Sequence, residues 1–192
     1  MNDEIESLLG DLSSGDDPRA ELAADRLSAI GNEITPALIN KLESKDPDNR
    51  WWAIRTLAQM DTPPMDLLIS SLEDVSQEVQ QCATLAICHH PDNRAIPVLL
   101  KLLIDSETVS CNLAATALIA IGKESIPELL ELLPKLKELS RIEAIRAIAC
   151  IEDHRAIPVL MTALDENSVV IYYWAEEGLN RLGLGMVYFQ PE

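Results

Sequence analysis

The chain has 192 residues, 47% of them hydrophobic, and carries fifteen basic against thirty-two acidic residues for a formal net charge of −17. That apolar content excludes a disordered chain, and the length suffices for a core without disulfide staples. Charge of this sign and size repels nucleic acid and anionic membranes and favours a basic partner.

Read in chain order, the sequence repeats itself. The pairs Leu8-Leu9, Leu38-Ile39, Leu68-Ile69, Leu99-Leu100, Leu129-Leu130 and Leu160-Met161 are spaced by 30, 30, 31, 30 and 31 residues. Each pair is followed, three residues after its second member, by another leucine: Leu12, Leu42, Leu72, Leu103, Leu133 or Leu164. Two residues before each pair stand Glu6, Pro36, Asp66, Pro97, Pro127 and Pro158. Proline there suits the first turn of a helix, where its missing N–H is no loss. Each unit therefore opens with a short amphipathic helix, helix A.

A second register follows in every unit: Ala23, Ala53, Ala83, Ala114, Ala144 and Ala175. Four residues on come Leu27, Leu57, Ile87, Leu118, Ile148 and Leu179, and seven on come Ile30, Met60, His90, Ile121, Ile151 and Leu182. This spacing places all three positions on one face of a second helix, helix B. Gly31, Gly122 and Gly183 sit where a helix ends in a left-handed residue. Asp16, Asp46, Asp105 and Asp165 mark the turns between A and B. Two such helices cannot bury both apolar faces alone, so successive units must stack. The expected fold is an all-α solenoid of about six helical hairpins in one domain, 1–192. Its units are 1–33, 34–63, 64–94, 95–124, 125–155 and 156–185. Residues 186–192 are expected to act as a cap, Met186 to Phe189 folding back over the sixth unit.

Units such as "AIPVLLKLLIDSETVSCNLAATALIAIG" and "AIPVLMTALDENSVVIYYWAEEGLNRLG" resemble HEAT repeats of the short, phycobilisome-lyase-like subtype. The resemblance covers nearly the whole chain and speaks to fold more than function. That family's Val-Arg pair at the start of helix B is replaced here by Arg50-Trp51, Gln80-Gln81, Cys111-Asn112, Arg141-Ile142 and Tyr172-Tyr173. Non-arginine groups where a structural arginine is expected help to locate a functional face. The resemblance also implies that the B helices line a concave side.

Positions two residues before and after each alanine oppose the core at 100° per residue. They read Glu21 and Asp25, Trp51 and Arg55, Gln81 and Leu85, Asn112 and Thr116, Ile142 and Arg146, Tyr173 and Glu177. Trp174 neighbours Tyr173 as Trp52 neighbours Trp51. The candidate partner-binding residues are thus Glu21, Asp25, Trp51, Arg55, Gln81, Asn112, Arg146, Tyr173, Trp174 and Glu177. For Trp51 and Trp52 two readings stand at this level: filler between helices, or contact with a partner, where Trp, Tyr and Arg dominate. Residues 1–33 hold nine acids and two bases, which makes the first unit an acidic end.

No catalytic set emerges. "CATLAICHH" offers Cys82, Cys88, His89 and His90, but Cys88 points about 100° from His89 and His90 falls in the core register, so a metal site is not expected. Paired His-Glu motifs of the iron-dependent HEAT hydroxylases are missing, as is a glycine-rich phosphate loop. The four cysteines have no framework spacing and read as buried thiols in a reducing compartment. No N-terminal leader and no apolar stretch near 20 residues is evident, which points to the cytoplasm. The expectation is a non-catalytic interaction module, without cofactor, whose acidic concave face binds a basic protein partner, in one form as an immunity or inhibitor protein for a toxin. The alternative, implied by the repeat subtype, is an accessory subunit of a bilin lyase, with Trp51 and Arg55 holding a tetrapyrrole and its propionates. Nucleic-acid and membrane partners are not expected.

Overall fold

A computed structural model describes residues 2–105 and 108–185. Among them there are helices and turns but no strand. The helices come in successive A/B pairs, and the chain divides into two compact units, residues 1–92 and 93–192. The first unit holds α1 (Asn2–Asp11), α2 (Asp17–Ile30), α3 (Thr35–Leu42), α4 (Pro47–Ala58), α5 (Met65–Ser71) and α6 (Gln77–His89). The second holds α7 (Ile96–Asp105), α8 (Thr108–Ile121), α9 (Ile126–Leu132), α10 (Glu138–Ile151), α11 (Ile157–Ala163) and α12 (Val169–Arg181). The segment Met186 to Phe189, expected to cap the last pair, lies outside the described residues.

Each B helix packs on the A helix before it and on the neighbouring B helices of its own unit. In the first unit α4 lies between α2 and α6, and in the second α10 lies between α8 and α12. The alanine register makes this possible. Ala53, Ala83, Ala114, Ala144 and Ala175 are fully buried, and Ala23 nearly so. A methyl at each crossing lets two helices approach closely, while Leu27, Leu57, Ile87, Leu118, Ile148 and Leu179 fill the space one turn on. From the A helices, Leu38, Leu68, Leu99, Leu129 and Leu160 close the core. Each such leucine contributes about 1.5–3 kcal/mol by leaving water. The second member of each pair is less enclosed; Ile39 and Met161 are exposed.

Local signals set the helix ends. Asp16 accepts from the Arg19 amide at 3.1 Å and Asp46 from the Asp48 amide at 3.0 Å, so both cap their B helices. In the third and sixth pairs serine takes that role: Ser76 and Ser168 accept from Val79 and Ile171 at 3.5 and 3.4 Å. Asp165 therefore sits in the turn ahead of the actual cap. Gly31, Gly122 and Gly183 have φ of 79°, 89° and 77°, which a side chain would make costly. Glu152 closes α10 with φ 57° and ψ 50°, a left-handed helical turn made without glycine, whereas Gly31 and Gly122 have ψ of −149° and −141°.

Of the five pairs compared, two hold an arginine, Arg50 and Arg141, each three residues before its alanine, and there it is structural. Arg50 is buried and donates to Asp74 and to the Ser44 carbonyl. Arg141 donates in the same pattern to Glu166 and to the Leu133 carbonyl. Offset −3, not −2, faces the turn of the following hairpin, so the guanidinium reaches a carboxylate there.

Candidate functional site

The face of the first unit formed by α2, α4 and α6 carries two adjoining open clefts. The first, about 690 Å³, lies over Trp51 and Trp52 and is rimmed by Asp17, Glu21, Asp48 and Glu78. The second, about 520 Å³, shares Glu21, Trp51 and Glu78 and extends along Arg55, Gln81 and Leu85 towards His89. Both volumes fall in the range of small-ligand or side-chain pockets.

The geometry follows from the register. Trp51 occupies the −2 position of α4, opposite the buried Ala53, and is half-buried. Trp52, one residue on, turns its ring so that the two centroids lie 4.8 Å apart at 85°, an edge-to-face pair. Trp52 is half-buried as well, and its carbonyl accepts from the Thr56 hydroxyl at 2.7 Å. Arg55, one turn along α4, donates to Glu21 of α2 at 2.7 Å. Gln59, a further turn on, donates to Asp25 at 2.8 Å. The stripe expected from sequence is therefore laced across helices in this unit: its cation and two of its acids hold α2 against α4.

Among the described residues lining the two clefts, Arg55 is the sole arginine or lysine, against the four carboxylates Asp17, Glu21, Asp48 and Glu78. The hydroxyl of Ser76 donates to Glu78 at 2.7 Å and holds its carboxyl below the usual range. Asp17, Asp48 and Glu78 are exposed. These three are not among the residues expected from sequence; an acid in the first turn of a helix is common because it favours the helix dipole. A signal was present: each lies five or six residues before its alanine, one turn above the −2 position, and so on the same stripe.

Candidate chemistry does not assemble here. Cys82 and His89 do line one cleft together, as their seven-residue spacing predicts. Burial pushes the Cys82 thiol up to about 12, against a smaller opposite pull from Arg55, so it is a neutral packed group. The His90 ring nitrogen lies 2.8 Å from the Ala58 carbonyl, away from His89. Among the described residues no group of three or more His, Cys, Asp or Glu side chains is placed to hold a metal ion.

The expected residues of the second unit form a separate set. Arg146 donates to Glu143 at 2.7 Å, to the Asn112 carbonyl at 3.1 Å and to the Thr116 hydroxyl at 3.2 Å. Asn112 in turn donates to Glu143 at 3.3 Å. Tyr173 is exposed and meets the half-buried Trp174 edge-on at 5.1 Å. Glu177 accepts from Arg181 at 2.8 Å one turn along α12. Acids named on the stripe thus have partners within the chain, and a ligand must share or displace them.

Helical hairpins that repeat about every thirty residues and place a like stripe on each B helix define an α-solenoid repeat protein. The pattern of HEAT repeats matches residues 35–117, and that of the PBS lyase HEAT-like repeat matches residues 140–166. Those segments are HEAT-like repeats, with 140–166 of the phycobilisome-lyase-like type. No curated protein matches it in sequence. Several solved structures share its fold. An engineered protein from the Northeast Structural Genomics Consortium is 24% identical with a TM-score of 0.53, over 95% of this chain and 98% of that one. A designed armadillo repeat protein in complex with the peptide (KR)4 is 22% identical with a TM-score of 0.55, over 93% and 99%. Computationally designed armadillo repeat proteins for modular peptide recognition give 20% and 0.52, over 92% and 99%. At these identities the likeness establishes the fold alone. Among the described residues no helix is long and apolar enough to cross a membrane.

Proposed function

We propose that this chain is a non-catalytic protein-interaction module, and that the α2/α4/α6 face receives a basic segment of a protein partner. One observation carries the reading: an aromatic pair, Trp51 and Trp52, lies at the centre of a cleft whose rim bears four carboxylates. Tryptophan is among the residues that dominate binding hot spots. The net charge of −17 supports steering of a cationic partner. A designed armadillo repeat protein of similar fold is in complex with the peptide (KR)4, which supports a basic peptide as the occupant. Neutralising a basic toxin is one concrete form of this role.

Pigment handling is the competing reading, and the PBS lyase HEAT-like match favours it. Against it, Arg55 is committed to Glu21, and the surrounding carboxylates repel propionates.

The test is fluorescence anisotropy with a labelled octapeptide of alternating lysine and arginine, beside a glutamate-rich control. Binding of the basic peptide alone, weakening as salt screens exposed charge over roughly 10 Å at 0.1 M, is the expected result. No binding of the basic peptide at low salt would sink the proposal. A bilin absorbance shift on addition of free tetrapyrrole, with no peptide binding, would favour the pigment reading instead.

A further inference from the structure

Resting on that reading, we infer that the cleft over Trp51 and Trp52 is a pocket for one arginine side chain of the partner, and that it selects arginine over lysine. Three features of the site argue for a guanidinium.

The first is shape. The two indoles meet at 85°, so they form a corner rather than a closed stack, and both remain half-exposed to the cleft. A flat cation can lie on one ring while its edge projects towards the rim. A guanidinium is planar and weakly hydrated and gains from such stacking; an ammonium is compact and strongly hydrated and gains less.

The second is the rim. Asp17, Asp48 and Glu78 come from the first turns of α2, α4 and α6, so the carboxylates approach from three helices. Five N–H donors in one plane can engage more than one of them, which three ammonium donors on a point charge do less specifically.

The third is internal precedent. Within this chain guanidinium groups already meet carboxylates at Arg50 with Asp74, Arg141 with Glu166 and Arg55 with Glu21. Glu21 shows directly that a rim carboxylate accepts an arginine N–H, from Arg55 at 2.7 Å. The incoming group meets a rim whose resident cation is already paired, so the remaining carboxylates supply the attraction.

The experiment uses the full-length protein carrying Trp174→Phe, so that emission reports Trp51 and Trp52. Three octapeptides are titrated: oligoarginine, oligolysine and oligocitrulline. Oligoarginine should change the emission and bind about tenfold tighter than oligolysine, the margin expected when a stacked guanidinium replaces an ammonium. Oligocitrulline, planar but uncharged, should not bind. Trp51→Leu should remove the arginine preference. If circular dichroism shows that variant unfolded, Asp48→Asn with Glu78→Gln decides instead, since both residues are exposed and their loss leaves the core intact. Equal affinity for arginine and lysine peptides, or binding that leaves the emission unchanged, overturns the pocket while the acidic face still stands. If neither cationic peptide binds, the pocket and the interaction face fail together.

Discussion

Arg50 of α4 grips Asp74, in the turn between α5 and α6, through two hydrogen bonds of 2.8 Å, while its third nitrogen donates to the Ser44 carbonyl at 2.9 Å. Both side chains are nearly enclosed, at 11% and 13% exposure. Arg141, Glu166 and the Leu133 carbonyl repeat the arrangement in the second unit with side chains twice as exposed. The contact ties the B helix of one hairpin to the turn of the next, where side-chain hydrophobicity alone leaves the stagger weakly specified.

Removing either partner of the Arg50–Asp74 pair strands the other in a nearly dry place. Arg50→Ala should therefore cost about 3 kcal/mol of stability, at the lower end for a broken buried pair. Asp74→Ala should cost a similar amount, and the double variant clearly less than the sum of the two. Urea denaturation of all four proteins measures this. Strict additivity would show that the two residues are not coupled.

Gly178 marks a close helix–helix approach in the second unit. A Cβ there would lie 2.8 Å from the Ala149 Cβ, 2.9 Å from the Ala149 Cα and 2.9 Å from the Leu160 Cδ1. One of those neighbours is backbone and cannot rotate away. Gly178→Ala should destabilise by about 1–3 kcal/mol through overpacking. On an open helix the same change stabilises by about 1 kcal/mol. A urea midpoint that rises in the variant would show that α12 does not pack on α10 as described.

Asp153 accepts from the Arg155 side chain at 2.8 and 2.9 Å and from the Arg155 amide at 2.8 Å. These bonds hold its carboxyl at about 2, below the ordinary 3.8, despite an opposing effect of burial. Because the folded value is the lower one, this contribution is fully present above 3.8 and is lost as pH falls towards 2. Asp74, lowered by Arg50, adds to the loss in the same direction. Thermal melts across that window should fall less steeply for Asp153→Asn than for the parent. Parallel profiles would remove Asp153 as a source of acid sensitivity.

The all-helical repeat was legible in the chain because one short cycle, leucine pair then alanine then glycine, is imposed by packing and recurs at a fixed spacing. Burial of Ala53 to Ala175 and the positive φ at Gly31, Gly122 and Gly183 follow from that cycle by local rules alone. The position of Trp51 opposite Ala53 followed too, because helical periodicity decides which side of α4 a residue occupies. What that side meets did not follow. Arg55 reaches Glu21 across 34 residues of sequence, and Arg50 reaches Asp74 across 24, and the repeat spacing alone does not say which side chains pair. Only the stacking of α2, α4 and α6 brings Asp17, Asp48 and Glu78 around two tryptophans. In the sequence each of these acids is fully accounted for by its own helix dipole. Their shared stripe is written in the repeat, but their convergence on one cleft is a property of three helices side by side, which packing decides.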